Sequence, residues 1–374
     1  MSQRELYLGL MSGTSMDGLD VVLVEFDGEQ PELLSHQHFP LPDNLQQQLH
    51  QLCQPGADEL DLWGSADRLF GMFSAQCVTE FLRHINVSPN AIKAIGSHGQ
   101  TVRHQPDAKP HYTLQLGDPN TIAALTGIPV VADFRRKDIA LGGQGAPLVP
   151  AFHQAIFSSF DESRVILNLG GIANITWLPG TPAGVTGFDT GPANTLMDRW
   201  FKACHPEHSD EFDRHGAFAA KGAVLDDVLE KLVADSYFSR PPPKSTGRDD
   251  FNLEWLRSHV KNLDSYQPED IQATLVALTA HTVADAISQW LPEPPETIFV
   301  AGGGAYNPIL MSALKSALPH RGWHATSVLG VSPQHVEAMA FAWLARCYMQ
   351  RTPGNLPAVT GASRPTVLGG LYLP

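Results

Sequence analysis

The sequence contains the same arrangement twice: a β-branched run, a glycine-containing bend and a second β-branched run. The first copy extends from Leu8 to Val24 and the second from Arg164 to Trp177. Runs of β-forming residues around a short glycine bend predict antiparallel hairpins. Segments with helical spacing follow each hairpin, so an internal duplication into two α/β halves is predicted. Such a pair of domains predicts a cleft with one glycine hairpin on each wall.

The chain of 374 residues is longer than a single hydrophobic core usually serves, so two domains are expected. We predict an N-terminal domain over residues 1–132 and a C-terminal domain over 133–374. The boundary follows a short strand, Ile128–Ala132, and precedes the densest basic cluster of the chain. The tail over residues 353–374 is predicted to be irregular and to pack back on either domain.

Charge and composition exclude several classes of partner. The chain has 25 Lys and Arg against 39 Asp and Glu, and the resulting net charge of −14 is the wrong sign for following a nucleic-acid backbone. Its apolar stretches are too short to span a membrane, and its N-terminus lacks the features of a secretory signal. The four cysteines are widely spaced, as in reduced cytoplasmic proteins. A small-molecule partner is favoured.

Three glycine loops follow predicted strands. In the first, Gly13 and Gly18 flank hydroxyl residues and suit an anion such as phosphate, although no Gly-Lys-Ser/Thr follows as in a Walker A motif. The second is Gly170-Gly171. The third, Gly302–Gly304, lies between a buried strand and a helix that begins at Asn307-Pro308. Each loop alone is also compatible with an ordinary turn, but the three together favour a nucleotide.

Polar residues with a possible chemical role occur at other predicted strand ends. Asp189 lies in Phe188–Pro192, where it is either a general base or a turn-capping carboxylate. His98 and Gln100 follow the strand Ala91–Gly96. Arg135 and Arg136 are either forked donors for a carboxylate or phosphate, or a solvated surface pair.

The glycine loops resemble those of the actin, Hsp70 and sugar-kinase superfamily, and within it five motifs resemble the anhydro-N-acetylmuramic acid kinase family. The motifs are Gly9–Gly18, Ser97–Thr101, Gly142–Pro147, Phe188–Pro192 and Pro242–Arg248. The resemblance implies duplicated actin-like domains of the ribonuclease H-like type, with mixed five-stranded sheets flanked by helices and an interdomain cleft. It also implies an enzyme of peptidoglycan recycling that uses ATP to convert a 1,6-anhydro sugar into its 6-phosphate and ADP while water opens the anhydro ring.

The resemblance implies site residues and surroundings as well. Asp189 matches the catalytic carboxylate, and a homodimer in the cytoplasm is expected. The superfamily's first hairpin usually carries an Asp where this chain has Met11 and Ser12, so the superfamily's metal ligand does not transfer to this chain. Asp17 and Asp20 follow the bend and are either contacts to the expected Mg²⁺, directly or through water, or turn and strand-end residues. Candidate sugar-binding residues are His98, Gln100, Thr101, Arg135, Arg136 and Asn174. Candidate nucleotide-binding residues are Gly13, Thr14, Ser15, Met16, Asp17, Gly18, Leu19, Asp20, Asn168, Gly170, Gly171, Gly302, Gly303, Gly304, Asn307 and Glu337.

Two other functions are compatible with the same residues. A related sugar or small-acid kinase would lack the ring hydrolysis, and Asp189 would then activate a substrate hydroxyl. An Hsp70-like ATPase switch would bind a protein partner, although the sequence shows no separate peptide-binding domain. Dependence of ATP turnover on a sugar distinguishes the kinases from the switch.

Overall fold

Each predicted hairpin begins its own β-sheet. The computed structural model describes residues 4–13, 16–106, 108–181, 184–247 and 250–374. Its backbone contacts divide the chain into two units, the first made of Met1–Ile156 with His335–Pro374 and the second of Phe157–Gln334. The chain passes from the first unit to the second after Ile156, later than the predicted boundary after Ala132. The last forty residues belong to the first unit.

The N-terminal stretch supplies most of the first unit. Its elements are β1 (Glu5–Met11), β2 (Gly18–Asp27), β3 (Gln30–Pro40), α1 (Asp43–Leu52), α2 (Glu59–His84), β4 (Ile92–Ser97), β5 (Gln100–Gln105), β6 (Tyr112–Leu116), α3 (Pro119–Thr126), β7 (Val130–Ala132), α4 (Phe134–Ala140) and α5 (Val149–Phe157).

The second unit follows without interruption along the chain. Its elements are β8 (Arg164–Leu169), β9 (Ile172–Leu178), β10 (Thr186–Pro192), α6 (Asn194–Cys204), α7 (Asp226–Val233), α8 (Leu253–His259), α9 (Pro268–Trp290), β11 (Thr297–Ala301), α10 (Pro308–Ala317) and β12 (Gly322–Ala325). The chain then returns to the first unit with α11 (Val336–Gln350), α12 (Pro357–Thr360) and β13 (Gly370–Tyr372).

The two sheets share one strand order, which confirms the predicted duplication and the α/β class. In the first unit, β1, β2 and β3 form an antiparallel meander, and β4 and β7 add parallel to β1. In the second unit, β8, β9 and β10 form the same meander, and β11 and β12 add parallel to β8. Numbered from the start of each unit, the five strands of each set lie in the order 3-2-1-4-5.

The first sheet has six strands and not the expected five. Residues Gly370–Tyr372 form β13, which pairs antiparallel with β7 at the sheet edge. The prediction of an irregular tail was therefore wrong at this point. A strand of three residues carries almost no periodic signal, and an edge that accepts it is visible only in the folded sheet.

Helix α11 belongs to the first unit because two glycines let it lie directly on the sheet. A Cβ atom at Gly9 of β1 would overlap the carbonyl oxygen of Ala338, and one at Gly96 of β4 would overlap that of Phe341. Only glycine permits such close approach of a helix backbone to a strand. This packing brings the C-terminal helix back across the chain, which sequence distance could not reveal.

Local sequence signals set the two ends of α3. The carboxylate of Asp118 accepts hydrogen bonds from the amides of Asn120 and Thr121 and so caps α3, which ends at Gly127 with φ of +69°.

Among the described residues, no helix is both long enough and apolar enough to cross a membrane.

His153 makes folding of the first unit sensitive to acid. Its side chain on α5 is 1% exposed, and burial lowers its pKa from 6.5 to about 3. Between pH 6.5 and about pH 3 this histidine is protonated in the unfolded chain but not in the folded chain. The free energy of unfolding is therefore highest above pH 6.5 and decreases as the pH falls. We expect His153→Gln to reduce the loss of unfolding free energy between pH 7.5 and 5.0 by about 2 kcal/mol. Urea unfolding at both pH values measures the free energy of unfolding. His84→Gln, at an exposed histidine, is the control. If His153→Gln lost as much stability between the two pH values as the parent, burial of His153 would not be the cause of the acid sensitivity.

Candidate active site

A row of polar side chains crosses the second sheet on three neighbouring strands. Asn168 on β8 stands opposite Asn174 on β9, and Asn174 stands opposite Asp189 on β10. Directly paired residues of antiparallel strands point to the same face of a sheet. Three residues that the sequence proposed separately, for nucleotide, sugar and catalysis, are therefore brought together on one surface.

Asp189 is half-buried, and hydrogen bonds hold its amide, its carbonyl oxygen and its carboxylate. Its amide donates to the carbonyl oxygen of Lys244 at 3.1 Å, and its own carbonyl oxygen accepts from the Tyr237 hydroxyl at 2.8 Å. Its Oδ2 atom accepts from the backbone amide of Thr246 at 3.0 Å. The pairing of β10 with β9 is irregular between Asp189 and Gly191, so the strand is bulged at this position. The Thr246 amide holds the carboxylate in one orientation, which suits a group that accepts a proton from a positioned reactant.

The Gly170-Gly171 turn is attached to the start of α6. The Gly170 carbonyl oxygen accepts from the amide of Asn194 at 3.1 Å and from its side-chain Nδ2 at 2.8 Å. The Gly171 carbonyl oxygen accepts from the amides of Ala193 and Thr195, both at 3.0 Å. The helix start thus fixes the hairpin tip between β8 and β9.

The third glycine loop lies against the end of β8. Gly302 has a φ of +80°, and a Cβ atom there would lie 2.6 Å from Asn168 Oδ1 and 2.7 Å from the carbonyl carbon of Leu169. A Cβ atom at Gly304 would lie 2.7 Å from that of Leu169, whereas one at Gly303 would have no described atom within 4 Å. Both glycine loops of the second unit therefore meet at Asn168 and Leu169, forming a backbone cradle with an open side at Gly303, which suits the close approach of phosphate.

Asn307 has a structural function in this loop. Its Oδ1 atom accepts from the amides of Ile309 at 3.1 Å and Leu310 at 3.2 Å, which caps α10. The predicted N-cap is confirmed, and its side-chain oxygen is occupied by the helix it starts.

The first hairpin bend is tied to Gln100. Ser12 Oγ lies 2.8 Å from the Gly18 carbonyl oxygen and 2.6 Å from Gln100 Oε1, and Gln100 Nε2 donates to the Gly13 carbonyl oxygen at 3.2 Å. Gln100 is 1% exposed. The candidates Thr14 and Ser15 lie outside the described residues.

The remaining residues of this bend divide between the core and the surface. The side chains of Met16 and Leu19 are buried in the core of the first unit, so any nucleotide contact there falls to their backbone. Asp17 is exposed. Asp20 Oδ1 accepts from His38 Nδ1 at 2.9 Å, which raises the pKa of His38. In the described part of the chain, no three His, Cys, Asp or Glu side chains form a group able to hold a metal ion.

His98 and Arg135 form a second polar pair in the first unit. Arg135 donates to His98 Nε2 from Nε at 3.1 Å and from Nη2 at 2.9 Å. Burial and the adjacent guanidinium hold the pKa of His98 well below its usual value of 6.5. The ring is therefore neutral with its proton on Nδ1, because Nε2 accepts. The ring also packs on Phe341 with centroids 4.6 Å apart.

Asp138 holds the glycine stretch that supports Arg135. Its buried carboxylate accepts from the amide of Gly145 at 2.9 Å and from the side chains of Asn355 and Thr360 at 2.7 Å each. The Gly145 carbonyl oxygen in turn accepts from Arg135 Nη1 at 2.9 Å. The sequence analysis did not identify Asp138, because a carboxylate inside a basic cluster resembles a surface charge.

Three other candidates have partners of their own. Thr101 Oγ1 accepts from Gln115 Nε2 at 3.1 Å. Arg136 forms a two-point contact with Asp133, at 2.7 and 2.6 Å, and its side chain is 64% exposed, as expected of a solvated surface pair. Glu337 lies in the first turn of α11, where a carboxylate favours the helix N-terminus.

Sequence reasoning missed the groups that surround Asp189. Lys244 and Thr246 belong to a motif that the family resemblance had marked, but nothing in their residue types indicated contact with Asp189. Tyr237 carries no local signal at all.

Comparison with known proteins agrees with these observations. The family model for anhydro-N-acetylmuramic acid kinase matches residues 5–374. The protein of that name from Shewanella amazonensis is 53% identical over 372 residues, covering 100% of this chain and 99% of the relative. That from Shewanella loihica is 52% identical over 369 residues, covering 99% of each chain.

Among solved structures, the activator of 2-hydroxyisocaproyl-CoA dehydratase from Clostridium difficile with bound ADPNP is similar over 90% of this chain and 92% of its own. It is 11% identical to this chain, with a TM-score of 0.43. The family match extends over nearly the whole sequence, and the chain therefore belongs to the anhydro-N-acetylmuramic acid kinase family and is an enzyme of the kinase class.

Proposed function

We propose that the enzyme transfers the γ-phosphoryl group of ATP to the sixth oxygen of 1,6-anhydro-N-acetylmuramic acid while water opens the anhydro ring. The products are N-acetylmuramic acid 6-phosphate and ADP, in the recycling of peptidoglycan. The observation that supports the hydrolytic step is Asp189, a carboxylate held by the Thr246 amide within a polar row beside the glycine cradle.

Asp189 acts as the general base in this proposal. Its carboxylate takes a proton from water as the water oxygen bonds to the anomeric carbon and the bond from that carbon to the sixth oxygen breaks. The sixth oxygen then attacks the γ-phosphorus, and the bond between that phosphorus and the β,γ-bridging oxygen breaks to release ADP. An Asp is ionised at neutral pH without special tuning and so is ready to accept the proton.

The glycine cradle of Gly170-Gly171 and Gly302–Gly304 is our proposed nucleotide site in the second unit. Bare backbone at these turns admits the phosphates, which suits a chain with a net charge of −14 and little general attraction for anions. Mg²⁺ bound with ATP would neutralise phosphate charge, and Asp17 and Asp20 are retained as candidate contacts through the metal or its waters.

Arg135 is our proposed sugar contact in the first unit. His98 and the Gly145 carbonyl oxygen orient its guanidinium, which can pair with the lactyl carboxylate of the sugar. We expect Arg135→Lys to raise KM for the sugar about tenfold or more with little change in KM for ATP, because lysine cannot reproduce the forked contacts. Steady-state kinetics with each substrate varied measures it. Arg214→Lys, at an exposed ion pair on the surface, is the matched control; a rise confined to KM for ATP would contradict the assignment.

Oxygen labelling tests the coupled reaction. The enzyme is incubated with Mg²⁺-ATP and 1,6-anhydro-N-acetylmuramic acid in ¹⁸O-water, and the product is analysed by mass spectrometry before anomeric exchange. One heavy oxygen at the anomeric carbon of a phosphorylated sugar, formed with ADP, supports the proposal. Phosphorylation without the heavy atom indicates a kinase without ring hydrolysis, and ATP turnover that needs no sugar removes the proposal altogether.

A further inference from the structure

Lys244 is a buried lysine that the proposed reaction does not use. Its side chain is 2% exposed, although lysine is rarely buried because its ammonium group loses water. Nζ donates to the carbonyl oxygens of Tyr237 at 3.3 Å and Phe238 at 3.1 Å. It also lies 4.8 Å from the centre of the Tyr237 ring, a favourable position for a cation. These contacts compensate the buried charge.

The two segments that the ammonium group joins are the ones that hold Asp189. The Lys244 carbonyl oxygen receives the Asp189 amide, and two residues later the Thr246 amide donates to Asp189 Oδ2. On the other segment, the Tyr237 hydroxyl donates to the Asp189 carbonyl oxygen. The Phe238 ring packs where a Cβ atom at Gly191 would lie, with Cε1 at 2.7 Å. Lys244 thus links the supports on both sides of the carboxylate.

We propose that Lys244 is a positioning residue that fixes the orientation of the Asp189 carboxylate by tying segment 244–246 to Tyr237 and Phe238. The inference rests on the proposed function, in which Asp189 is the base. A misplacement of about 1 Å at a reacting group can lower a rate by about 10²-fold, so this support is expected to matter for kcat.

The charged groups around Lys244 determine how its positioning role should appear in the pH dependence of kcat. Burial and Arg240 lower the pKa of Lys244 to about 8, and Asp189 opposes this effect. Tyr237 faces Asp189, Arg240 and Asp250, and burial raises the pKa of its hydroxyl far above the usual value, so it stays protonated. Asp235 faces the same segment and accepts from the Tyr237 amide at 2.8 Å. Loss of the ammonium proton above about pH 8 should weaken the link and lower kcat.

Lys244→Met removes the charge and keeps the length of the side chain. We expect kcat at pH 7 to fall about 30- to 100-fold, with KM for ATP within twofold, and the decline of kcat near pH 8 to disappear. Lys244→Arg keeps a charge that does not titrate in this range, so it should recover part of kcat without the decline. Lys231→Met, at an exposed ion pair on α7, is the control. A Lys244→Met enzyme with kcat within threefold of the parent and an unchanged pH profile would overturn the inference.

Tyr237→Phe is the second test of the positioning role, for the case in which circular dichroism shows that Lys244→Met does not fold. It removes the hydroxyl that donates to Asp189 and leaves the ring in place, so a fall in kcat of about tenfold supports the linked arrangement and an unchanged kcat overturns it. Asp189→Asn in the same assay distinguishes failure of the proposed base, Asp189, from failure of the positioning role of Lys244. If Asp189→Asn remains active, the proposed base is wrong; if it is inactive while Lys244→Met and Tyr237→Phe match the parent, only the positioning role is wrong.

Discussion

Asp189→Asn is expected to lower kcat about 10³-fold while leaving the affinity for ATP within twofold. The amide keeps the size of the side chain and can still accept from the Thr246 amide at its oxygen. It cannot take a proton from water, and a positioned general base typically contributes between about 10² and 10⁴ in rate. Coupled detection of ADP in the presence of the sugar measures kcat, and calorimetric titration with a non-hydrolysable ATP analogue measures binding.

Asp227→Asn is the matched control for this change. Asp227 lies on α7 in an exposed pair with Lys231, in the same unit and far from the polar row along the chain. Its replacement should leave kcat unchanged. Near-parental turnover by Asp189→Asn would exclude Asp189 as the base, and loss of nucleotide binding together with turnover would indicate that the carboxylate is mainly structural.

Gly96→Ala is expected to lower the free energy of unfolding by about 3 kcal/mol or more. The added methyl carbon would overlap the carbonyl oxygen of Phe341 and lie 2.6 Å from its carbonyl carbon and 3.1 Å from Ala345 Cβ. The obstacle is helix backbone, which cannot rotate away, so α11 must move off β4. Urea unfolding followed by tryptophan fluorescence measures the change, since Trp343 lies on α11.

Gly64→Ala is the same chemical change at a site with room for it. Gly64 lies within α2, and a Cβ atom there meets no described atom within 4 Å. Alanine in a helix interior is favoured over glycine by about 1 kcal/mol, so this variant should be stabilised. Equal effects of the two substitutions would show that α11 is not packed tightly on β4.

The strands and long helices followed from local patterns. The hairpin at Leu8–Val24 contained β-branched runs around glycine, and α2 and α9 had regular apolar spacing, so chain-local forces already favoured these elements. The duplication was also visible, because the same pattern occurred twice. The unit boundary and β13 were not predictable in this way, since both depend on how residues after 334 pack on a sheet formed by the first 132.

The candidate site was predicted in part. The glycine loops and Asp189 were noticeable as residue types at strand ends, and the family resemblance supplied the chemistry that the residues alone left open. Lys244 and Tyr237 were missed because their contacts with Asp189 join positions 48 to 55 residues apart through backbone groups, which every residue type possesses.

The sequence alone determined the element types, the two hairpins and the glycines, because φ preference, β-branching and helical spacing act over a few neighbouring residues. Only the tertiary structure decided that Asn168, Asn174 and Asp189 share one row, that α11 returns to the first sheet and that a buried ammonium group supports Asp189. Strand register and the desolvation of a charge arise from contacts between distant segments, and no local pattern encodes them.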